Sequence, residues 1–182
     1  MKSFFLFIWE ITKIVVIALL IVVPIRYFLF QPFFVRGQSM EPNFEDGNYL
    51  IVDELSFRLR DPQRGEVIVF KYPNNPSQRY IKRIIGLPGE TIEVKDAKVV
   101  VFNQEGGRIL DESEYLSPAI QTPGDIQISL AENEYFVLGD NRYASSDSRR
   151  WGALPREDIV GRVVLRAWPF TALAKFETPA YE

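Results

Sequence analysis

Between Phe4 and Phe34 the chain carries only three charges, Glu10, Lys13 and Arg26, and from Ile14 to Ile25 it has no polar residue. That is the composition of a membrane-targeting segment, and it divides the chain into two parts that obey different rules. Twelve apolar residues fall short of the roughly 20 that a spanning helix requires. Phe4 to Trp9 on one side and Tyr27 to Phe30 on the other extend the helix. Arg26 can snorkel to the interface, and Trp9, Tyr27 and the phenylalanines suit the headgroup belts. No small-x-small cleavage site follows the apolar run, so the reading is a retained spanning helix and not a removed leader. Lys2 and Lys13 lie on one side of the run, with Arg26 and Arg36 on the other. Charge does not decide its orientation.

Beyond Met40 the pattern becomes that of strands. Tyr49 to Glu54, Glu66 to Phe70, Tyr80 to Gly86, Thr91 to Lys95, Lys98 to Phe102, Glu134 to Leu138 and Ile159 to Trp168 are short and rich in β-branched or aromatic residues. Gly, Pro, Asn or Asp bound them, and no long amphipathic helix competes. Asp96-Ala97 between two valine-rich runs predicts a tight hairpin. Gly106-Gly107 and Pro118 to Gly124 bracket a looser polar excursion. The expected fold is mainly β, a β-rich domain with a small peripheral β insertion, preceded by one N-terminal transmembrane helix.

At 182 residues and 47% hydrophobic content the chain can bury a sizeable core. A net charge of -3, with no run of five like charges, gives no electrostatic reason to expect nucleic acid. The chain has no cysteine and no histidine. A disulfide framework and a thiolate zinc site are therefore excluded, and any nucleophilic serine must find a base other than imidazole. A lysine serves where burial disfavours its charged form.

Three segments offer candidates for such chemistry, and each taken alone has a plain structural reading. Ser39 lies in GQSMEPNF, which lacks strand alternation and reads as a turn. In YIKRIIGLPGE, period two puts Tyr80, Lys82 and Ile84 on one strand face and Ile81, Arg83 and Ile85 on the other. By itself this reads as an edge strand with two solvated cations. GDNRYASSDSRRWG, from Gly139 to Gly152, is a polar loop in which Asp140, Arg142, Asp147 and Arg149 can form ion pairs.

Together, SMEP followed by NYLIVDELSFR, then RGEVIVFKYP, RYIKRIIGLPGE and GDNRYASSDSRRWG, in this order after an N-terminal apolar segment, resemble the bacterial type I signal peptidases. These are membrane-bound serine endopeptidases that remove leader peptides from exported preproteins. The resemblance covers nearly the whole chain. It implies Ser39 as nucleophile and Lys82 as general base, with Arg83 beside it in a structural role. It implies further that Ser145 hydrogen-bonds and orients the lysine amine and that Asp147 and Arg149 form a supporting ion pair, with Asp140 and Arg142 as scaffold. Eukaryotic secretory relatives replace the lysine by histidine, which places this histidine-free chain with the lysine type.

The same resemblance implies a division into a cytoplasmic stub and anchor over residues 1–31 and an extracytoplasmic catalytic domain over 32–182, with the peripheral insertion at about 103–133. The location implied is the bacterial plasma membrane, crossed once. The partners implied are signal-peptide-bearing preproteins and the lipid bilayer, with no cofactor and no metal. Cleavage follows small residues in an A-x-A pattern, and Phe33, Val35, Met40, Phe44, Tyr80 and Ile81 are the candidates for lining the pockets. Trp168 and Phe170, with Phe33 and Phe34, are candidates to rest on lipid. Some family members have an oxyanion-donating serine two places before the nucleophile, where this chain has Gly37. The Ser39 amide then remains as a donor.

Two other classes share some of these features. A non-catalytic membrane-tethered β module needs neither Ser39 nor Lys82. A processing peptidase specialised for conjugation or an organelle needs both.

Overall fold

The computed structural model describes residues 2–24, 30–176, 178, 179 and 181. Helix α1 spans Lys2–Pro24, and all its side chains from residue 6 to 22 are exposed. Its apolar surface is thus left outside the protein core. Among the described residues no helix is long and apolar enough to cross a membrane. Arg26 and Tyr27, on which the expected spanning length relies, lie outside the described residues. Phe30, counted with that same flank, instead opens a strand.

That strand, β1 (Phe30–Phe34), pairs antiparallel with β2 (Tyr49–Asp53) in the register Pro32 to Ile51. β1 ends the sheet, so Pro32, with no N–H to donate, sits in the one kind of strand that tolerates it. Short helix α2 (Ser56–Leu59) follows, then β3 (Val67–Tyr72) and the long β4 (Asn75–Gly86). Next come β5 (Thr91–Lys95), β6 (Lys98–Asn103), β7 (Gly106–Ile109), β8 (Ile126–Ser129) and β9 (Glu134–Leu138). α3 (Ser148–Trp151), β10 (Leu154–Pro155), β11 (Ile159–Trp168) and β12 (Ala174–Lys175) complete the chain.

Two antiparallel sheets result. The larger runs β1-β2-β11-β3-β4-β9-β10, with β12 added to β11, and the smaller runs β7-β6-β5-β8. The large sheet is buried on both faces along β3 and β4. Val67, Val69 and Ile81 pack with Val35, Met40, Phe44 and Leu50, whereas Ile68, Phe70 and Ile84 pack with Tyr135, Val137 and Leu154. The alternation expected for YIKRII is therefore present, but the strand is central.

The small sheet takes residues 91–129, so β5 and β6 belong with the polar excursion that follows them. Asp96 and Ala97, both at positive φ, make its tight hairpin. Ile92, Val94, Val99 and Val101 bury one face of this sheet against Ile85, Phe136 and Leu138 of the large one. The connection from β7 to β8 then runs back to the loop that follows β9, where Glu112 and Thr122 meet Arg142, and the Tyr115 carbonyl accepts from Asn43 in the turn after β1.

Candidate active site

Three local structures converge. The first is the turn after β1. Gly37 adopts φ +87°, a left-handed conformation that glycine reaches without penalty, and its N–H donates to Asp46 Oδ1 at 2.6 Å. The following residues coil back, with Met40 and Phe44 fully buried beneath. Ser39 is thereby held at the surface of the core. Its carbonyl accepts from Asn141 N–H at 3.1 Å, while its own N–H has no acceptor among the described residues.

The second is β4. Lys82 is 3% exposed, far from the solvated cation that the strand alone suggests. Its Nζ donates to Ser39 Oγ and to the Ile81 carbonyl, both at 2.7 Å. Among the described residues no carboxylate pairs with it. Burial pushes the Lys82 amine down to about 8, against weaker opposing attractions from Asp147 and Asp140. A fraction of the amine is then neutral near physiological pH and within proton-transfer reach of a hydroxyl.

Arg83, the next residue, is as buried but differently served. Its Nε and Nη2 bind both oxygens of Asp140 at 2.9 and 2.7 Å, and Nη1 donates to the Gly65 carbonyl at 2.9 Å. The Tyr115 ring lies 4.0 Å below the guanidinium carbon. Burial works against its charge, but Asp140, Tyr115 and Tyr181 together outweigh it and the pKa is raised.

The third is the loop after β9. Asp140 also accepts from Asn43 Nδ2 at 2.8 Å, which ties this loop to the Ser39 turn. Asp147 binds Arg149 Nε and Nη2 at 2.8 Å and accepts from Gly139 N–H at 3.1 Å. Burial alone would raise the Asp147 carboxyl, yet Arg149 and these bonds hold it below the usual range. Arg142 does not pair with Asp140 or Asp147. It binds Glu112 and Thr122 from the β7–β8 connection and the Gly139 carbonyl at 3.0 Å.

Ser145 lies in the same nest. It is buried, and its Oγ has no hydrogen-bond partner of good geometry among the described residues, although it lies close enough to Asp147 to help keep that carboxylate charged. The bond to the lysine amine implied by the resemblance is not made among the described residues, where Nζ bonds Ser39 and Ile81. Gly139 separates Ser145 from the nucleophile turn, and a Cβ there would overlap both Ser145 Oγ and the Ser39 carbonyl.

A cleft of ≈ 630 Å³ opens over Ser39 and Lys82. Phe33, Phe34 and Arg36 line it from the β1 side, and Gln78, Arg79, Tyr80 and Ile81 from β4. Val35, Met40 and Phe44 do not reach it, being packed into the core below. Ser146, to which the sequence assigns no role, faces the cleft. Alternation was the available signal: if Ser145 points into the nest, its neighbour points out. Among the described residues no cluster of metal-ligating side chains occurs.

The sequence profile of the family described as "Signal peptidase, peptidase S26" matches residues 8–168. A protein of Synechocystis sp. named "Probable signal peptidase I-2" is 38% identical over 165 residues, 88% of this chain and 73% of its own. The "Signal peptidase I" of Bacillus caldolyticus is 37% identical over 171 residues, 87% of this chain and 90% of its own. A crystal structure of a signal peptidase I from Enterococcus faecalis V583 aligns with 57% of this chain and 97% of its own, at 34% identity and a TM-score of 0.46. The chain belongs to the signal peptidase, peptidase S26, family and is a hydrolase of that kind, a serine endopeptidase.

Proposed function

We propose that this member of the family removes signal peptides from exported preproteins, cutting after small residues in an A-x-A pattern by a Ser39–Lys82 dyad. The observation that carries the reading is the 2.7 Å contact between Lys82 Nζ and Ser39 Oγ, made by an amine that burial holds near pKa 8. Neutral Lys82 takes the Ser39 proton as Oγ attacks the scissile carbonyl. The oxyanion then faces the unengaged Ser39 N–H. Because the Gly37 N–H is committed to Asp46, it is not the second donor. Collapse of the adduct expels the amine of the mature chain, which receives its proton from Lys82, and leaves Ser39 acylated. The same amine activates water for deacylation. Acylation takes away one hydrogen-bond partner of Lys82, and the buried Ser145 hydroxyl is placed to hold the base when that happens. Asp147, Arg149, Asp140, Arg142 and Arg83 act through this loop as scaffold.

The substrate lies extended in the cleft. β1 ends its sheet, and β4 pairs with β9 only from Arg83 onward. Two strand edges therefore face the cleft with backbone groups free to take up a peptide. Phe33, Tyr80 and Ile81 supply shallow apolar pockets suited to small side chains.

On this reading the apolar α1 surface lies in lipid as a single-pass anchor in a bacterial plasma membrane. Residues 1–31 hold the cytoplasmic stub and the anchor and run into the start of β1, with residues 32–182 on the extracytoplasmic side. The insertion, expected at about 103–133, extends to the small sheet from residue 91. Exposed Phe34, Trp168 and Phe170 suit the adjoining interface. The partners are preproteins and the bilayer, with no nucleic acid and no cofactor. Incubation of the detergent-solubilised protein with a preprotein, followed by sequencing of the new amino terminus, tests the reading. The expected terminus follows an A-x-A junction, and intact preprotein or a cut elsewhere would overturn it.

A further inference from the structure

The cleft that holds Ser39 and Lys82 also holds Arg36 and Arg79. Both are exposed, and neither guanidinium makes a hydrogen bond or ion pair among the described residues. Among the described residues no carboxylate lines the cleft. This is unusual company in a chain of net charge -3, where Arg60, Arg64, Arg142 and Arg162 are each tied to a glutamate or aspartate. The two cations stand on opposite walls, one beside Phe34 and one on β4. Arg79 precedes Lys82 by three residues, about 10 Å along a strand. A peptide laid against the free edge of β4, with its scissile carbonyl at Ser39, passes Arg79 about three residues from the cut.

We infer that Arg36 and Arg79 are specificity-determining residues that favour substrates with an acidic side chain within about three residues of the cleavage point. The inference rests on the peptidase reading and adds to it a charge preference. During turnover this cleft must contain peptide, so the complementary anion is a substrate carboxylate. A lipid phosphate drawn to the same arginines would act without regard to the peptide sequence.

The test uses the full chain in a nonionic detergent, without lipid. Peptides share one Ala-x-Ala junction, and a single Glu or its isostere Gln is moved through the positions that leave both alanines in place, on either side of the cut. At one or two neighbouring positions the Glu peptide should exceed its Gln partner in kcat/KM by about three- to tenfold at low salt, the range of two partly exposed charge pairs. The ratio should fall toward one as salt shortens the screening length. It should shrink in Arg36→Gln and in Arg79→Gln, vanish in the double variant and return with Arg→Lys. Each ratio is taken within one enzyme preparation, so a poorly folded variant does not bias it. A ratio near one at every position of the wild-type scan would overturn the inference, as would a preference that survives high salt or the double substitution. If the wild-type enzyme cut none of the peptides, the peptidase reading itself would fail.

Discussion

Lys82 and Arg83 are consecutive residues on β4, 3% and 5% exposed, and the regions on their two sides treat the same charge in opposite ways. On the Arg83 side a carboxylate with no exposed surface, Asp140, meets the guanidinium through two bonds. On the Lys82 side the hydrogen-bond partners among the described residues are a hydroxyl and a carbonyl, with the Tyr80 ring centroid 5.6 Å from the amine. Burial is thus nearly equal, and the difference is where the loop after β9 sets its carboxylates. A compensated cation is structural; an uncompensated one loses its proton readily. An Arg could not replace Lys82 for the same reason, since a guanidinium keeps its proton even when buried.

The contrast is sharpest in activity. Ser39→Ala or Lys82→Ala should lower kcat by about a thousandfold or more, and the double variant should fall little further, because the proposed nucleophile and base act as one proton-transfer unit. Single-turnover cleavage of a preprotein measures this. Near-normal turnover by Lys82→Ala would break the contrast at its centre.

In stability the two sides should respond with opposite signs. Asp140→Asn leaves Arg83 buried without its counter-charge and should destabilise the domain by about 3 to 5 kcal/mol in denaturant titration. Lys82→Met should stabilise it. The Lys82 pKa is 10.5 in the unfolded chain and about 8 in the folded one, so folding releases a proton between those values. Below pH 8 the charged amine is buried at full cost, about 3 kcal/mol. That cost declines as pH rises from 8 to 10.5, and stability rises with it. Lys82→Met should accordingly gain about 1 to 3 kcal/mol at pH 7 and progressively less toward pH 10. A loss of stability at pH 7 would mean that the amine has a counter-charge after all.

Smaller effects belong to the loop. Ser145→Ala should reduce kcat by about tenfold with KM nearly constant, because the hydroxyl is proposed to hold the base without carrying the proton. Ser146 faces the cleft, so Ser146→Ala should act on KM instead. Interchange of the two kinetic signatures would reverse the roles of these neighbours.

Much of the large sheet was legible because its strands are short, β-branched runs with clear boundaries, as Glu134 to Leu138 illustrates, and Thr91 to Lys95 was legible in the small sheet on the same grounds. β1 was hidden since Phe30 to Phe34 continues the aromatic composition of the apolar segment before it. β7 and β8 were missed for the opposite reason: Gly106–Ile109 is fully exposed and glycine-rich, and Ile126–Ser129 is half polar. Within the site, the family resemblance could name Lys82 and Ser39, which local spacing could not, but it did not give the company each keeps. The partner of Arg142 is Glu112, thirty positions earlier in the excursion, and Asp140 turns to Arg83 across 57 positions. Val35, Met40 and Phe44 illustrate the same limit, because an apolar residue near a nucleophile fits a pocket wall and a core equally well until the turn's direction is known.

If Lys82 works as a base because it is buried without a counter-charge, the pH dependence of kcat/KM for a peptide free of ionisable groups must show it, since the acid limb reports the base in the free enzyme. The expected profile rises about tenfold per pH unit at low pH, with a midpoint near the folded Lys82 value of about 8 and a plateau above it. An acid limb centred near 10.5, the value of an ordinary lysine, or a profile flat across this range would show that burial does not set the base.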